Sequence, residues 1–138
     1  MKRAGLYFLT LLMLTACAAA SKEKLKSTAA QKYKFEVTKN YQEVYRHIAE
    51  RGRECWETGY LFSPQAQNII DADLYSDLGE AEVSWRMVNF GNSYYATAII
   101  QRIDNNKTQV TVLNSLKSWD DIGKKIEKWV TKPQEKGC

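Results

Sequence analysis

Two rhythms of apolar and polar residues run through positions 33–130. Tyr33-Lys34-Phe35-Glu36-Val37 alternates with a period of two, the pattern of a strand buried on one face. The period then lengthens. Tyr41, Val44, Tyr45, Ile48, Ala49, Cys55 and Trp56 fall at helical spacing on one stripe, with Gln42, Glu43, Arg46, His47, Glu50 and Arg53 on the opposite side. Asn40, with Glu43 three residues on, has the form of a capping box. Gly52 marks the expected end of this helix, because glycine accepts a left-handed exit. A further strand is expected at 58–62, ended by Ser63-Pro64. Alternation by two returns at 68–75, 80–88, 94–103 and 108–113. Turn residues separate these runs: Ser76-Asp77-Leu78-Gly79, then 89–93 around Gly91, then Asp104-Asn105-Asn106-Lys107. Ser118 and Asp121 cap a closing helix whose stripe is Trp119, Ile122, Ile126, Trp129 and Val130. Pro133 keeps the tail out of that helix.

The order is strand, helix, a meander of about five strands, helix. Short connections make the meander antiparallel. Each helix carries one apolar stripe, so both are expected on the same face of the sheet. The predicted fold class is α+β, a two-layer sandwich with an antiparallel sheet of five to six strands and two helices on one face. This element order resembles the helix-grip or TATA-binding-protein-like architecture, which an accessory lipoprotein of the outer-membrane β-barrel assembly machine also uses. The resemblance is one of element order, without a shared motif, and fold leaves function open.

The first residues follow another pattern. Lys2 and Arg3 precede an apolar run from Leu6 to Leu14, interrupted only by Thr10, and Ala16, Ala18, Ala19 and Ala20 flank Cys17. Charge, apolar core and small residues in that order make a secretory signal, and the core is shorter than the roughly 20 residues of a membrane span. Leu14-Thr15-Ala16-Cys17 resembles the lipobox of bacterial lipoproteins: an apolar residue, two small residues, then cysteine. The resemblance covers residues 1–17. It implies a diacylglyceryl group on the Cys17 sulfur, cleavage between Ala16 and Cys17, and N-acylation of Cys17. Two or more acyl chains anchor a protein stably, where one holds it only marginally. An Asp after the cysteine would imply retention at the inner membrane. Ala18 stands there instead, so the family's sorting rule implies the outer membrane and its periplasmic face.

Removing residues 1–16 from 138 leaves 122, one domain's worth of chain. The net charge of +4 for the whole chain misleads. From Tyr33 onward, 14 Lys and Arg face 15 Asp and Glu, a formal charge of −1. A domain of that charge lacks the basic footprint of a nucleic-acid binder. Residues 18–32 are small, polar and rich in lysine, with no aromatic. They read as a flexible tether with a reach of about 20 Å. The expected organisation is a signal over 1–16, the lipidated cysteine and tether over 17–32, and one periplasmic α+β domain over 33–138.

Cys55 and Cys138 are the cysteines beyond the anchor. The lipoprotein address places them in an oxidising envelope, where a pair is expected to be bridged. A buried free Cys55 with a loose Cys138, or an interchain bridge through the tail, are the alternatives. An intrachain bridge would be worth about 4 kcal/mol in the chain-entropy model. His47 is the only histidine. Cys55 lies about 12 Å of helix rise away from it, beyond hydrogen-bond reach, so His47 reads as a surface residue beside Glu43. Asp71 and Asp73 share a strand face and read as its wet side in preference to a cation site. No nucleophile–base pair, metal-ligand spacing or cofactor motif stands out, so no catalytic residue, metal ligand or cofactor is assigned.

The second face of the sheet is the stronger lead. If Trp85 and Met87 face the helices, then Arg86, Val88 and Phe90 face away. If Ala96 and Ala98 pack beneath the helices, then Tyr95, Thr97, Ile99 and Gln101 face away too. Arg86, Val88, Phe90, Tyr95 and Ile99 are therefore candidate contacts on a semi-apolar face that neither helix covers. The function expected is that of a lipid-anchored, non-enzymatic envelope lipoprotein. It would hold the membrane through acyl chains on Cys17 and bind an envelope protein through this face or a sheet edge. The alternative is a carrier or sensor of a small apolar ligand or lipid between sheet and helices. A cavity above about 300 Å³ would favour the carrier, and a solid core the binding module.

Overall fold

A computed structural model describes residues 19–57, 66–119, 121–135 and 137–138. Cys17 and the strand expected at 58–62 lie outside the described residues. Five strands, β1 Gln31–Val37, β2 Gln67–Tyr75, β3 Glu80–Val88, β4 Asn92–Asp104 and β5 Lys107–Asn114, form one antiparallel sheet. Their order across it is β1-β5-β4-β3-β2. Turn chemistry sets the reversals. Gly79 takes φ +65° behind a single 3₁₀ turn, Ser76–Leu78, a conformation that costs glycine little. The Asp104 side chain accepts from the Asn106 N–H at 2.8 Å and closes the next turn.

Among the described residues there are three helices: α1 Lys22–Thr28, α2 Tyr41–Trp56 and α3 Ile122–Thr131. The Asn40 side chain caps α2 by accepting from the Gln42 N–H at 2.9 Å. Glu43 does not close the capping box and instead takes the Lys39 ammonium at 2.8 Å. Nor does α2 end at Gly52. It runs on to Trp56, because Cys55 and Trp56 extend the stripe that packs on the core. Gly52 serves close approach: a Cβ there would lie 3.4 Å from the Ile70 side chain of β2. At the other end of the chain, Asp121 is the N-cap of α3. Ser118 and Trp119 belong to a preceding 3₁₀ turn, Lys117–Trp119.

The α+β sandwich expected from the pattern is present, with α2 and α3 on one face of the sheet. Phe35, Val83, Trp85, Ile100, Val110 and Val112 meet Val44, Ile48, Ile126, Trp129 and Val130 in one core. Ala96 and Ala98 lie in the same core, fully buried on β4 between the longer side chains. The approach of α3 to β1 is closer still. A Cβ on Gly123 would fall 2.5 Å from both Cβ and Cγ of Tyr33. At the sheet's margin, the Glu57 carboxylate accepts from the Ile70 N–H of edge strand β2 at 2.9 Å, blunting that edge against pairing with another strand.

The outer face departs from expectation. Residues 22–28 are not a free tether but helix α1, laid across β4 and β5. Seven residues are too few to hold a helix in water on propensity alone. What holds this one is Leu25, which is fully buried. Ser84 and Thr97 on the outer face have no exposure, and Thr111 and Leu113 have little. The hydroxyls of Ser84 and Thr97 hydrogen-bond each other, as buried polar groups must. Lys22 pairs with Asp73 and Lys26 with Glu82 on either side of Leu25. The Ser21 side chain caps α1 by accepting from the Lys24 N–H at 3.1 Å. Before the helix, the Ala19 carbonyl accepts from the Tyr94 N–H at 2.7 Å. After it, the Ala30 N–H donates to the Asn114 carbonyl at 2.8 Å and leads into β1.

Two substitutions test this packing. Leu25→Ala should cost about 2–5 kcal/mol, as a buried leucine does, read as a lower urea midpoint. A change within the about 0.5 kcal/mol of an ordinary surface substitution would mean that α1 is not seated. Gly123→Ala should destabilise by about 1–3 kcal/mol, because the Tyr33 atoms it meets lie at the root of the side chain and move only with the backbone. A neutral result would show that α3 can back away from β1 at little cost.

Candidate functional site

The five residues expected on the open face do not form one surface. Arg86 is engaged in ion pairing. Its Nε donates to Asp71 Oδ2 at 2.6 Å and its Nη2 to Asp71 Oδ1 at 3.2 Å, while Nη1 reaches Asn92 Oδ1 at 3.0 Å. Tyr95 points to the helix side. A bulge between Trp85 and Arg86 pairs Arg86 with Tyr94 but Trp85 with Ala96, so Tyr95 is the extra residue. Its ring stacks on Trp119 at 5.3 Å, and Trp119 in turn packs on Trp56 of α2 at 4.7 Å. Val88 is half-buried at the end of β3, and Phe90 stands in the β3–β4 turn, 99 % exposed. Of the five, Ile99 alone lies deep on the outer face. It borders a groove of about 390 Å³ between α1 and the strands, lined also by Lys26, Lys32, Lys34, Gln101 and Leu113.

Asp71 and Asp73, the paired carboxylates of β2, both have cationic partners from the protein. Asp71 holds Arg86 and Asp73 holds Lys22. Burial pulls the Lys22 ammonium down, but its hydrogen bond to Asp73 and the charges of Asp73 and Asp71 outweigh that and raise it above its ordinary value of 10.5. The Lys22 charge contributes fully at physiological pH, and its share of this contact is lost as pH climbs through the raised value. His47 lies where expected, its Nε2 3.8 Å from Glu43 Oε1. Among the described residues, no group of three or more His, Cys, Asp or Glu is placed to hold a metal ion, and no helix is long and apolar enough to cross a membrane.

One end of the sheet exposes apolar side chains that the alternation does not single out. Leu74, Tyr75, Leu78 and Ile103 are all exposed, Leu78 at 71 %. The fold brings them to one end of the sheet, where the β2–β3 turn meets the end of β4 and the Arg102 N–H donates to the Gly79 carbonyl at 2.9 Å. Large apolar side chains on a turn and at a strand terminus were the available signal, since turn chemistry prefers small polar residues there. Among the described residues, Phe90 is the remaining exposed large apolar residue, at the opposite end of β4.

Cys55 and Cys138 are bridged, with their Cα atoms 5.3 Å apart. Arg51 Nη2 donates to the Gly137 carbonyl at 2.9 Å beside them. The tail is thus fastened to the last turn of α2, the intrachain arrangement among the three considered.

No protein-family model matches the chain, and no curated protein sequence matches it. Among solved structures, the chain has a faint likeness to a conserved protein from Geobacillus kaustophilus. The two are 11 % identical with a TM-score of 0.34, over 72 % of this chain and 86 % of that one. That degree of likeness bears on neither fold nor function.

The bridge closes a loop spanning 83 positions. Cys138→Ser should therefore lower stability by up to about 4 kcal/mol through the freed unfolded chain, read by urea unfolding without reductant. An unchanged midpoint would mean that Cys138 leaves the unfolded chain no more restricted than serine does.

Proposed function

We propose that this protein is a lipid-anchored envelope lipoprotein, held in the outer membrane through acyl chains on Cys17, that binds an envelope protein without catalysing a reaction. The lipobox Leu14-Thr15-Ala16-Cys17 supports the anchor. The observation that carries the binding role is the exposure of the apolar side chains Tyr75, Leu78 and Ile103 at one end of the sheet. Solvent-facing groups of this size at one place are characteristic of interaction sites. The interior gives no corresponding support to a carrier, since the 390 Å³ groove lies outside it, against α1, and is lined mainly by polar side chains, lysine and glutamine among them. Val44, Ile48, Ile100, Ile126 and Val130 fill the space between sheet and helices, each without exposure.

A crosslinking pull-down of the acylated protein from its own membranes tests both parts. One envelope complex should be enriched from the wild type and lost from a Cys17→Ala control. Leu78→Glu combined with Ile103→Glu should remove at least nine-tenths of the captured partner while leaving the thermal midpoint unchanged. Ile99→Glu separates the two surfaces, since loss with that variant alone would move the binding site to the groove beside α1. Recovery of a lipid or small molecule in place of a protein would contradict the binding-module reading.

A further inference from the structure

The anchor and the domain are joined by almost no slack. Ala19 is the first described residue, it is buried, and its carbonyl holds the Tyr94 N–H. Only Ala18 separates it from Cys17. A chain spans at most about 3.6 Å per residue, so the Cα atoms of Cys17 and Ala19 can be no more than ~7 Å apart. The polar interfacial layer of a leaflet is itself about 5–8 Å deep. If the acyl chains of Cys17 are in the bilayer, the end of the sheet that carries Tyr94 is at the headgroup layer.

That end has the chemistry for it. Val88 pairs with Asn92 and Met87 with Ser93, so residues 89–91 project beyond Tyr94 as the tip of the β3–β4 hairpin. Phe90 sits on that tip, 99 % exposed. Trp119 lies half-buried against Tyr95 at the same end, and Lys117 is exposed beside it. Aromatic rings with a cationic neighbour are the side chains that membrane interfaces favour. The opposite end of β4, at Asp104, is twelve residues along the strand, about 40 Å away at 3.3 Å per residue. The exposed apolar residues Leu74, Tyr75, Leu78 and Ile103 are found there.

We propose that the β3–β4 hairpin end rests in the membrane interface with Phe90 inserted among the lipids, so that β4 stands away from the bilayer and presents the Leu78–Ile103 end to the aqueous phase. This rests on the lipoprotein reading of Cys17. A domain lying flat, with Lys24, Lys32 and Lys34 toward the headgroups, would bring both ends of β4 equally near the lipid, and the experiment separates the two orientations.

With Cys17 acylated and Cys55 bridged to Cys138, an added cysteine is the sole free thiol. Phe90→Cys and Asn106→Cys, at the two ends of β4, are each labelled with an environment-sensitive fluorophore in the full-length acylated protein. The proteins are then reconstituted in phosphatidylethanolamine–phosphatidylglycerol vesicles. The label at 90 should shift to the blue and lose intensity to a lipid-borne quencher, while the label at 106 should respond only to aqueous iodide. Phe90→Trp, read as the emission difference from wild type, gives the same answer without a new thiol. Equal lipid quenching at both positions, or iodide quenching at both with Cys17 acylated, would overturn the upright orientation. An unmodified Cys17 in the mass of the amino-terminal peptide would overturn the lipoprotein reading itself, and this orientation with it.

Discussion

The burial of one leucine makes the segment before β1 part of the domain. Leu25 is the only large apolar residue between Cys17 and Tyr33, and it is fully covered on the outer face of the sheet. Removing a leucine side chain from water is worth about 1.5–3 kcal/mol. The flanking pairs Lys22–Asp73 and Lys26–Glu82 are partly exposed and contribute about 0–1 kcal/mol each. Apolar burial therefore outweighs the charges in seating α1, and the charges fix its register. The consequences reach in both directions along the chain. The outer face becomes covered enough to bury Ser84 and Thr97, and Ala19 is left beside Tyr94, two residues from Cys17 in sequence.

Rigidity elsewhere makes that placement meaningful. Gly123 and the alanines of β4 allow close packing on the helix side, Glu57 occupies the edge amide of Ile70, and Cys55–Cys138 fastens the tail to α2. These contacts join α2, α3 and the tail to the same sheet that α1 covers from outside. The membrane attachment proposed at one end of β4 and the exposed apolar side chains at the other would then be held at a fixed separation by strand geometry.

Much of this was legible from alternation alone. Period two located β1, β2, β3, β4 and β5, and the stripes of α2 and α3 placed both helices on one face. Where the reading failed, a local exception had overridden a regular count. Parity places Tyr95 on the outer face, and one bulged residue reverses it; the consecutive aromatics Tyr94-Tyr95, where alternation allows one, are the visible trace. Gly52 reads as a helix end, whereas its missing side chain admits Ile70. Composition makes the segment 18–32 a tether, because it averages away a single leucine flanked by lysines at positions able to meet Asp73 and Glu82. The exposed end escaped notice because Leu78 and Ile103 lie in a turn and at a strand terminus, apart in sequence and close only after the β2–β3–β4 meander has formed.

Hydrogen exchange at the amides of Leu25 and Tyr94 is the most direct test of the docked amino-terminal segment. These N–H groups donate to Ser21 and Ala19, at 3.0 and 2.7 Å, and both bonds vanish if residues 19–28 swing free. Docking predicts that the Leu25 and Tyr94 amides exchange orders of magnitude more slowly than unstructured chain, in the acylated protein and in a Cys17→Ala form alike. Exchange of both amides at unprotected rates, with the Ile100 amide in the middle of β4 still protected, would show that the segment is a tether after all.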